Sequence, residues 1–204
     1  MYLEFADDII LENDRVKLRP LIISDQENLL AIALQNKDLL QYSPKQIYSR
    51  ELLADYILGA VDDRKNNSRY PFIIYDKKIN EYAGSTSFLA ISNYDKRLEI
   101  GGTWLGNKFQ KTGLNRNCKF LLMEYVFEKL EFERIEFKTD ERNSDSRKAI
   151  EKIGGKLEGI FRSHMVLSDG FRRNTVYYSV LRNEWLEMKK SFLIRNKKLI
   201  DSNK

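Results

Sequence analysis

A glycine turn at residues 110–115 (QKTGLN) separates a strand-like run that ends at Leu105 from an amphipathic helix pattern. The helix pattern repeats apolar residues every three or four positions between Leu114 and Leu130, and an alternating run follows at residues 134–139. A strand, a helical crossover and a second strand of one sheet form a right-handed unit with parallel strands. The stretch therefore predicts a parallel strand pair with one helix packed on it.

The rest of the chain predicts further strands and helices around this unit. Alternating runs separated by turn residues predict strands, and the run at residues 15–19, which stops at Pro20, suits an edge strand. Apolar residues at helical spacing follow Ser24 or Asp25 and again Ser49, and Asn183 is a candidate cap for a last helix. The expected fold is α+β, with a single mixed, mostly antiparallel sheet of about seven strands flanked by helices. The other predicted strands are residues 70–75, 82–91, 98–105, 156–167 and 171–181, the last two joined at Asp169-Gly170.

Length and composition exclude several classes of protein. The 204 residues suit one domain spanning 1–204, with a C-terminal helix and basic tail from about 183. There is no signal-peptide pattern and no apolar run long enough to span a membrane, so a soluble, cytoplasmic protein is expected. Cys118 is the only cysteine and His164 the only histidine, which excludes an internal disulfide and a Cys/His zinc cluster. No metal site is predicted, and the spacing places Cys118 in the core.

The net charge of +5 favours anionic ligands, which include nucleic acids and phosphorylated cofactors. Basic and acidic residues alternate along most of the chain, and the C-terminal run is the locally one-sided segment. It lacks the repeated aromatic interleaving of nucleic-acid binders and a recognition helix, so no nucleic-acid partner is expected. The run consists of Lys189, Lys190, Arg195, Lys197 and Lys198.

Two local features carry candidate chemistry, each with a plainer alternative. A helix that starts near Gly113 offers unpaired N–H groups to an anion such as a phosphate, although one glycine there could equally be ordinary turn punctuation. On the short helix predicted at residues 143–153, Ser146 shares a face with Ala149, Ile150 and Ile153. Its hydroxyl is either available for chemistry or bonded to nearby backbone.

Three separated stretches, in order, resemble one family. They are LEIGGTWLGNKFQKTGLN at 98–115, NSDSRKAIEKIGGKLEG at 143–159 and DGFRRNTVYYSVLRNEW at 169–185. Together they resemble the GNAT superfamily of acyl-coenzyme A dependent N-acetyltransferases, particularly the ribosomal-protein N-terminal acetyltransferase (Rim-type) branch. The resemblance covers nearly the whole chain and implies a GNAT-like acyl-CoA N-acyltransferase fold.

The resemblance also implies a coenzyme site between the two parallel strands. Main-chain groups of Thr103, Trp104 and Leu105 would pair with the pantetheine arm, and Asn143 would bond a pantetheine amide. Two positions depart from the family: Asn115 replaces a Gly or Ala, and Ile150 stands where many relatives carry a catalytic tyrosine. Arg116 and Lys119 either attract the coenzyme's phosphates or face solvent. The pyrophosphate would rest on the N–H groups of Lys111, Thr112, Gly113, Leu114 and Asn115, with Gln110 in the family's Arg or Gln position.

Amine acetylation needs a group that accepts a proton from the amine and a donor to the departing thiolate, each worth about 10²- to 10⁴-fold in rate. Glu99 is the candidate base and Ser146, at the Rim-type serine position, the candidate donor. Alternation without a bulge places Glu99 on the face of Arg97, Gly101 and Thr103, and the alternative is a Glu99 paired with Arg97 or another cation. A backbone N–H near Trp104 or Leu105 would polarise the thioester carbonyl.

The expected function is acetyl-CoA dependent transfer of an acetyl group to a primary amine by direct attack in a ternary complex. The amine would belong to a protein N-terminus or a small molecule, and acetyl-CoA would be the cosubstrate. The alternative is a non-catalytic acyl-CoA-binding sensor or scaffold. No membrane partner is expected. His164 is a candidate for lining the acceptor pocket, against an exposed or core role, and Trp185 and Phe192 could pair subunits in a homodimer or serve a monomer's core.

Overall fold

A computed structural model describes the backbone of residues 1–201 and the side chains of residues 1–194. In this range five α-helices flank one sheet of eight strands. The predicted basic-tail side chains of Arg195, Lys197 and Lys198 lie outside the described residues. The helices are α1 (Asp25–Ala33), α2 (Arg50–Lys65), α3 (Leu114–Glu124), α4 (Ser144–Lys152) and α5 (Arg182–Asp201). The strands are β1 (Leu11–Glu12), β2 (Val16–Pro20), β3 (Arg69–Asp76), β4 (Glu81–Ser92), β5 (Arg97–Leu105), β6 (Arg134–Asp140), β7 (Lys156–Val166) and β8 (Arg172–Leu181).

The strands lie in the order β1-β2-β3-β4-β5-β6-β8-β7, and all neighbours are antiparallel except β5 and β6, which are parallel. The predicted α+β fold with one mixed, mostly antiparallel sheet is thereby confirmed. The sequence did not predict β1, because two residues are too few to show alternation. The prediction of an edge strand at 15–19 is wrong, since β2 pairs with β1 on one side and with β3 on the other.

The crossover from β5 to β6 forms as its period predicts. The apolar face of α3 is buried, including Leu114, Cys118 and Leu122. The helix continues through a π-helical turn at Tyr125–Lys129 before the chain enters β6. A turn of this kind shifts the side chains that follow it, so the simple 3.6-residue period does not reveal it.

Alternation along β5 and β6 divides side chains between the two faces of the sheet. Leu98 lies beside Ile135, and both are buried. Glu99 lies beside Glu136 on the opposite face. The register of β6 with β8 places Phe137 beside Tyr178 on the first face and Lys138 beside Tyr177 on the second. The sheet therefore carries an apolar face under α3 and α4. On its other face Glu99, Glu136 and Lys138 form a charged patch.

A β-bulge interrupts β5 just before its end. Opposite β4, Ser87 pairs with Gly101 but Ser85 pairs with Trp104, so Gly102 and Thr103 together face a single residue. Gly102 adopts φ +58°, in the left-handed region. The bulge shifts the alternation by one residue, which turns Thr103 toward α3 and Trp104 toward α2. The expectation that Thr103 shares the face of Glu99 is therefore wrong.

The parallel strands separate beyond the bulge. Their paired residues end at Glu99 and Glu136, whereas β5 continues to Leu105 and β6 to Asp140. Among the described residues no ladder joins the strands after that point. A V-shaped opening, called here the splay, therefore lies between the carboxyl ends of β5 and β6, with edge backbone groups of β5 facing it.

The last helix packs against the crossover helix. Trp185 is buried, and its ring lies 5.4 Å from Phe120 and 5.8 Å from Phe127 between ring centroids. Phe192 stacks on Phe120 at 3.9 Å. These contacts show the two aromatic residues serving the core of this chain, one of the two roles open from the sequence. Through residue 201, no helix is both long and apolar enough to cross a membrane.

Candidate functional site

The turn at residues 110–115 leads directly into α3. Gly113 precedes the helix at φ +86°, where residues with a side chain are strained, and nothing lies within 4 Å of the position a Cβ would take. The backbone N–H groups of Lys111, Thr112, Gly113 and Asn115 have no acceptor among the described residues. An open surface with several unpaired N–H groups at a helix N-terminus has the chemistry of an anion site.

Side chains around the turn hold its shape. The hydroxyl of Thr112 donates to Phe109 O at 2.8 Å and accepts from the N–H of Leu114 at 3.4 Å. The side-chain amide of Gln110 donates to Leu105 O at 3.0 Å, so it ties the turn to the end of β5. The resemblance implies that Gln110 lies beside the pyrophosphate. In this structure its side chain braces the loop, and its contact with the coenzyme stays a prediction.

Several polar atoms near the turn and the splay are buried without a hydrogen-bond partner among the described residues. They include Oδ1 of Asn115, in the first turn of α3, and Nε1 of Trp104, near the end of β5. A buried unpaired polar group is costly, and it marks a place where a ligand can supply the missing bond. Asn115, which departs from the family pattern, is thus partly buried beside the turn with an oxygen ready to accept a hydrogen bond.

The end of β5 offers its backbone edge to the splay. Trp104 and Leu105 are buried, and the Trp104 ring meets Tyr56 of α2 edge-on at 6.3 Å. The hydroxyl of Thr103 lies 2.7 Å from that of Thr86 on β4. This contact holds the end of β5 against β4. The edge of β5 that faces β6 has no strand partner beyond Glu99 among the described residues.

Asn143 and Ser146 lie where α4 begins, just after β6. Asn143 is the N-cap residue, and its Oδ1 accepts the backbone N–H of Ser146 at 3.0 Å. The cap occupies the oxygen of Asn143 and leaves its NH₂ group available as a donor. The hydroxyl of Ser146 has no hydrogen bond to a described residue, so the expected alternative of an early-turn backbone bond is not observed for it.

Glu99 lies in the charged patch with its carboxylate 3.0 Å from the Lys138 ammonium, and Lys138 also lies 3.4 Å from Glu136. Glu99 therefore pairs with another cation, not with Arg97, which lies 3.5 Å from Asp95. Only 12% of the Glu99 side chain is exposed. Burial raises the pKa of Glu99, and the nearby Lys138 ammonium only partly opposes the rise.

A glycine makes room for the Glu99 carboxylate. A Cβ on Gly101 would lie 2.5 Å from Glu99 Oε1 and 3.0 Å from Leu89. The missing side chain therefore lets the carboxylate fold back over its own strand, next to the bulge. A general base needs a raised pKa and a fixed position, and Glu99 has both.

Glu99 and Ser146 lie on opposite faces of the sheet. Lys138 sits 4.8 Å above the Tyr177 ring on the face of Glu99. The α4 helix bonds the other face, where Tyr178 accepts from Arg147 at 3.1 Å and donates to Glu151 at 2.9 Å. The splay is a gap in the sheet that is open to both faces, so a group held there could contact both Glu99 and Ser146.

Two charged residues in the site were not assigned these places from the sequence. Lys138 was not singled out, although its alternation with Glu136 on a strand parallel to β5 was a usable signal. Lys119 was expected to attract phosphates or to face solvent. The solvent-facing role is wrong, because Lys119 is buried under the splay and bonds Thr103 Oγ1 at 2.7 Å. Attraction of the coenzyme's phosphates by Lys119 stays a prediction.

The remaining candidates, His164 and Cys118, lie outside the site. His164 is exposed on β7, and its Nδ1 lies 3.0 Å from Thr175 Oγ1. Burial raises the pKa of the Cys118 thiol to about 12, which makes it unreactive core. Within the described residues, no three His, Cys, Asp or Glu side chains are grouped so as to hold a metal.

Known proteins share this sequence pattern and fold. The family model "Acetyltransferase (GNAT) domain" matches residues 15–156. The protein of Bacillus subtilis (strain 168) named "Putative ribosomal N-acetyltransferase YdaF" is 26% identical over 181 residues, which span 85% of this chain and 94% of that protein. The crystal structure of a GCN5-related N-acetyltransferase from Brucella melitensis aligns with a TM-score of 0.85 and 28% identity, covering 94% of this chain and 86% of that one.

A further solved structure is the acetyl transferase from Salmonella typhimurium that modifies the N-terminal serine of 50S ribosomal subunit protein L7/L12. It aligns with a TM-score of 0.75 and 25% identity, covering 85% of this chain and 99% of that one. The resemblance to GNAT enzymes and their ribosomal-protein branch is thereby confirmed. With the family model matching well over half of its length, this chain belongs to the GNAT family and is an N-acetyltransferase.

Proposed function

We propose that this enzyme transfers an acetyl group from acetyl-coenzyme A to a primary amine, by direct attack in a ternary complex. The observation that carries the proposal is the splay, which adjoins a helix N-terminus with unpaired N–H groups. A long ligand with an anionic end and an amide-containing arm suits this combination, because the helix start binds anions and the strand edge binds amides.

Acetyl-CoA supplies an activated thioester when it is bound, and the residues of the chain hold and orient it. The N–H groups of Lys111, Thr112, Gly113 and Asn115 would bind its pyrophosphate, with Gly113 keeping that surface open. The Leu114 N–H could join them by leaving its long bond to Thr112. The β5 edge at Thr103, Trp104 and Leu105 would pair with the pantetheine arm. The free NH₂ group of Asn143 would donate to a pantetheine carbonyl, since its oxygen already caps α4.

The charged patch has the chemistry to bind the acceptor amine. Glu99 and Glu136 attract a protonated amine, and Lys138 between them limits the negative charge. Glu99 would accept the proton, directly or through water, after which the neutral amine attacks the thioester carbon. From the other face, the Ser146 hydroxyl would donate to the departing sulfur.

The acceptor proposed is a protein N-terminus, with small primary amines as the other class. The support is the similarity to the Salmonella typhimurium enzyme, which modifies the N-terminal serine of L7/L12, and to YdaF, whose name refers to a ribosomal substrate.

The test is an amine panel with acetyl-CoA in which released thiol is monitored. The panel contains short peptides with free N-terminal serine or alanine, the same peptides with blocked N-termini, polyamines and aminoglycosides. Thiol release with free but not blocked peptides supports N-terminal acetylation, and release with polyamines or aminoglycosides alone supports a small-amine enzyme. Binding of acetyl-CoA without release for any amine contradicts the proposal.

Variants then test the proposed roles. Glu99→Gln and Ser146→Ala should each lower kcat by roughly 10²-fold or more while acetyl-CoA affinity stays within a few-fold of the unmodified enzyme. Ser144→Ala is the matched control, because Ser144 is an exposed serine on the same helix turn. Full activity in both variants would show that other groups move the protons.

A further inference from the structure

Lys119 is a buried lysine on α3, and only 7% of it is exposed. Its ammonium donates to Thr103 Oγ1 on β5 at 2.7 Å and lies 5.9 Å from the centre of the Phe137 ring on β6. Both contacts lie beyond Glu99 and Glu136, where the ladder between the strands ends. The ammonium therefore spans the two strands at the base of the splay.

Among the described residues, no carboxylate is in contact with the ammonium. Within residues 1–194 no carboxylate oxygen lies within 4.0 Å of it, and the bond to Thr103 uses one of its three N–H donors. The aromatic face of Phe137 offsets little of the cost of burial. A buried cation with spare donors is costly unless another group accepts its hydrogen bonds, and the splay is the open space beside it.

The charged and titratable groups around Lys119 do not accept the spare hydrogen bonds of its ammonium. Cys118 on α3 and Glu99 on β5 both act on it electrostatically, with Glu99 on the opposite face of the sheet. Arg15, before β2, and Asp76 on β3 act on the neighbouring Cys118 and bind each other at 2.6 Å. On α5, Lys189 is occupied by Glu124 and Glu128.

We propose that Lys119 is a coenzyme-binding residue whose ammonium donates a hydrogen bond to a carbonyl oxygen of an acyl-pantetheine arm held in the splay. The inference rests on the proposed function and deepens it. The bond to Thr103 aims the ammonium at the strand edge on which the arm would lie. Because the ligand group is a neutral carbonyl, this contact differs from the phosphate contacts of the α3 N-terminus.

The protonation state of Lys119 gives the contact a measurable signature. Burial lowers the pKa of Lys119 to about 8 in the free protein. A carbonyl that accepts from the ammonium favours the charged form, so binding raises that pKa. Between the free and bound values the complex holds more protons than the free protein, and binding therefore takes up protons and weakens as pH rises above 8.

The experiment is isothermal titration of the full chain with acetyl-CoA at pH 8.5, in Tris and in bicine, whose ionisation enthalpies differ. At this pH an uptake of roughly half a proton or more per coenzyme bound is expected. Lys119→Met should abolish the uptake and lower the affinity about tenfold. Lys65→Met, at an exposed lysine on α2, is the matched control and should change neither quantity.

The outcomes separate this inference from the proposed function. If the unmodified protein does not bind acetyl-CoA, the proposed function fails and the inference fails with it. If it binds without proton uptake, or if Lys119→Met keeps both uptake and affinity, only the inference is overturned. Thermal unfolding checks that Lys119→Met is folded. If it is not, Lys119→Arg replaces it: the guanidinium stays charged at pH 8.5, so this variant should bind acetyl-CoA without the proton uptake, and uptake that persists overturns the inference.

Discussion

Two buried charges of opposite sign, Glu99 and Lys119, lie on either face of the sheet where β5 and β6 separate. Burial moves both toward neutrality, raising the pKa of the acid and lowering that of the amine. Shifted pKa values of this kind are common at functional sites, where a group must gain or lose a proton near neutral pH. At the scale of single residues, the feature that marks the site is therefore the burial of two ionisable side chains, Glu99 and Lys119.

The pH dependence of activity should report on the Glu99–Lys138 pair. Glu99 acts as a base only when ionised, so kcat/KM should fall as pH drops through its pKa. Lys138→Met removes the cation that opposes the raised pKa, and the acid limb should move to higher pH. Glu99→Gln should remove the limb along with most of the rate.

Arg97→Met is the control for this pH profile. Arg97 is a cation on the same strand, two residues from Glu99, but it lies beside Asp95. Its loss should move the limb much less than the loss of Lys138. An acid limb that stays in place in Lys138→Met would mean that another group titrates in the profile.

A second residue-scale prediction concerns stability at the start of α1. Asp25 is buried, and its carboxylate accepts two bonds from Arg19 at 2.6 and 2.8 Å and one from the N–H of Ile22 at 3.0 Å. Asp25→Ala would leave the guanidinium without its carboxylate, and the free energy of unfolding should fall by about 3–5 kcal/mol.

Urea unfolding measures this effect, with Glu27→Ala as control. Glu27 lies on the same helix and pairs with Arg50, but both side chains are more than half exposed. Its loss should cost less than about 1 kcal/mol. Equal losses in the two variants would show that burial does not set the strength of the Asp25 contact.

At the scale of elements, the strand, turn and helix between β5 and α3 were predictable because each has a strong local signal. Alternation, one glycine and a 3.6-residue period identify them, and the crossover rule then makes β5 and β6 parallel. The same signals led to Gly113, Asn143 and Ser146 at the ends of neighbouring elements.

What the sequence did not reveal depends on contacts between elements. The bulge at Gly102 and Thr103 follows from pairing with β4, and it reverses the face of Thr103. The bond between Lys119 and Thr103 depends on that reversal, since Thr103 then meets α3. A single shifted residue in one strand thus changed the environment of a lysine on a helix, which no local pattern could show.

The element-scale prediction concerns the turn before α3. Gly113→Val places a β-branched side chain at φ +86° and covers the N–H groups of the turn, so acetyl-CoA affinity should fall at least about tenfold. Gly170→Val is the matched control. Gly170 has φ +82° in the β7–β8 hairpin and, like Gly113, nothing within 4 Å of its missing Cβ.

Both glycine variants should lose about 1–2 kcal/mol of stability, because both strain the backbone in the same way. Only Gly113→Val should lose coenzyme affinity in isothermal titration. If the two variants bind acetyl-CoA equally well, the turn is not the anion site, whatever their stability.

At the scale of the whole molecule, the family model ends at residue 156, the first residue of β7, and does not extend to β8 or α5. The sheet nevertheless continues through β6 into β8, and α5 returns to cover α3. Helix α3, which follows the proposed pyrophosphate-binding turn at residues 110–115, is therefore packed on one side by the sheet and on the other by the last helix. This arrangement supports the prediction of a single domain, in which the segment from β7 to α5 folds together with the site.

Trp185 tests whether α5 belongs to the same cooperative unit. It is 6% exposed, packs on Phe120 and Phe127, and donates from Nε1 to Glu128 at 2.7 Å. Trp185→Ala should lower the free energy of unfolding by about 3–5 kcal/mol in one cooperative transition. Leu186→Ala, at a neighbouring residue that is 62% exposed, should change it by less than about 0.5 kcal/mol. If α5 were independent of the sheet, urea unfolding of Trp185→Ala followed by far-UV circular dichroism would keep the main transition at its original midpoint. A shift of the whole transition would instead place α5 and the turn at residues 110–115 in one folding unit, because α3 contacts both.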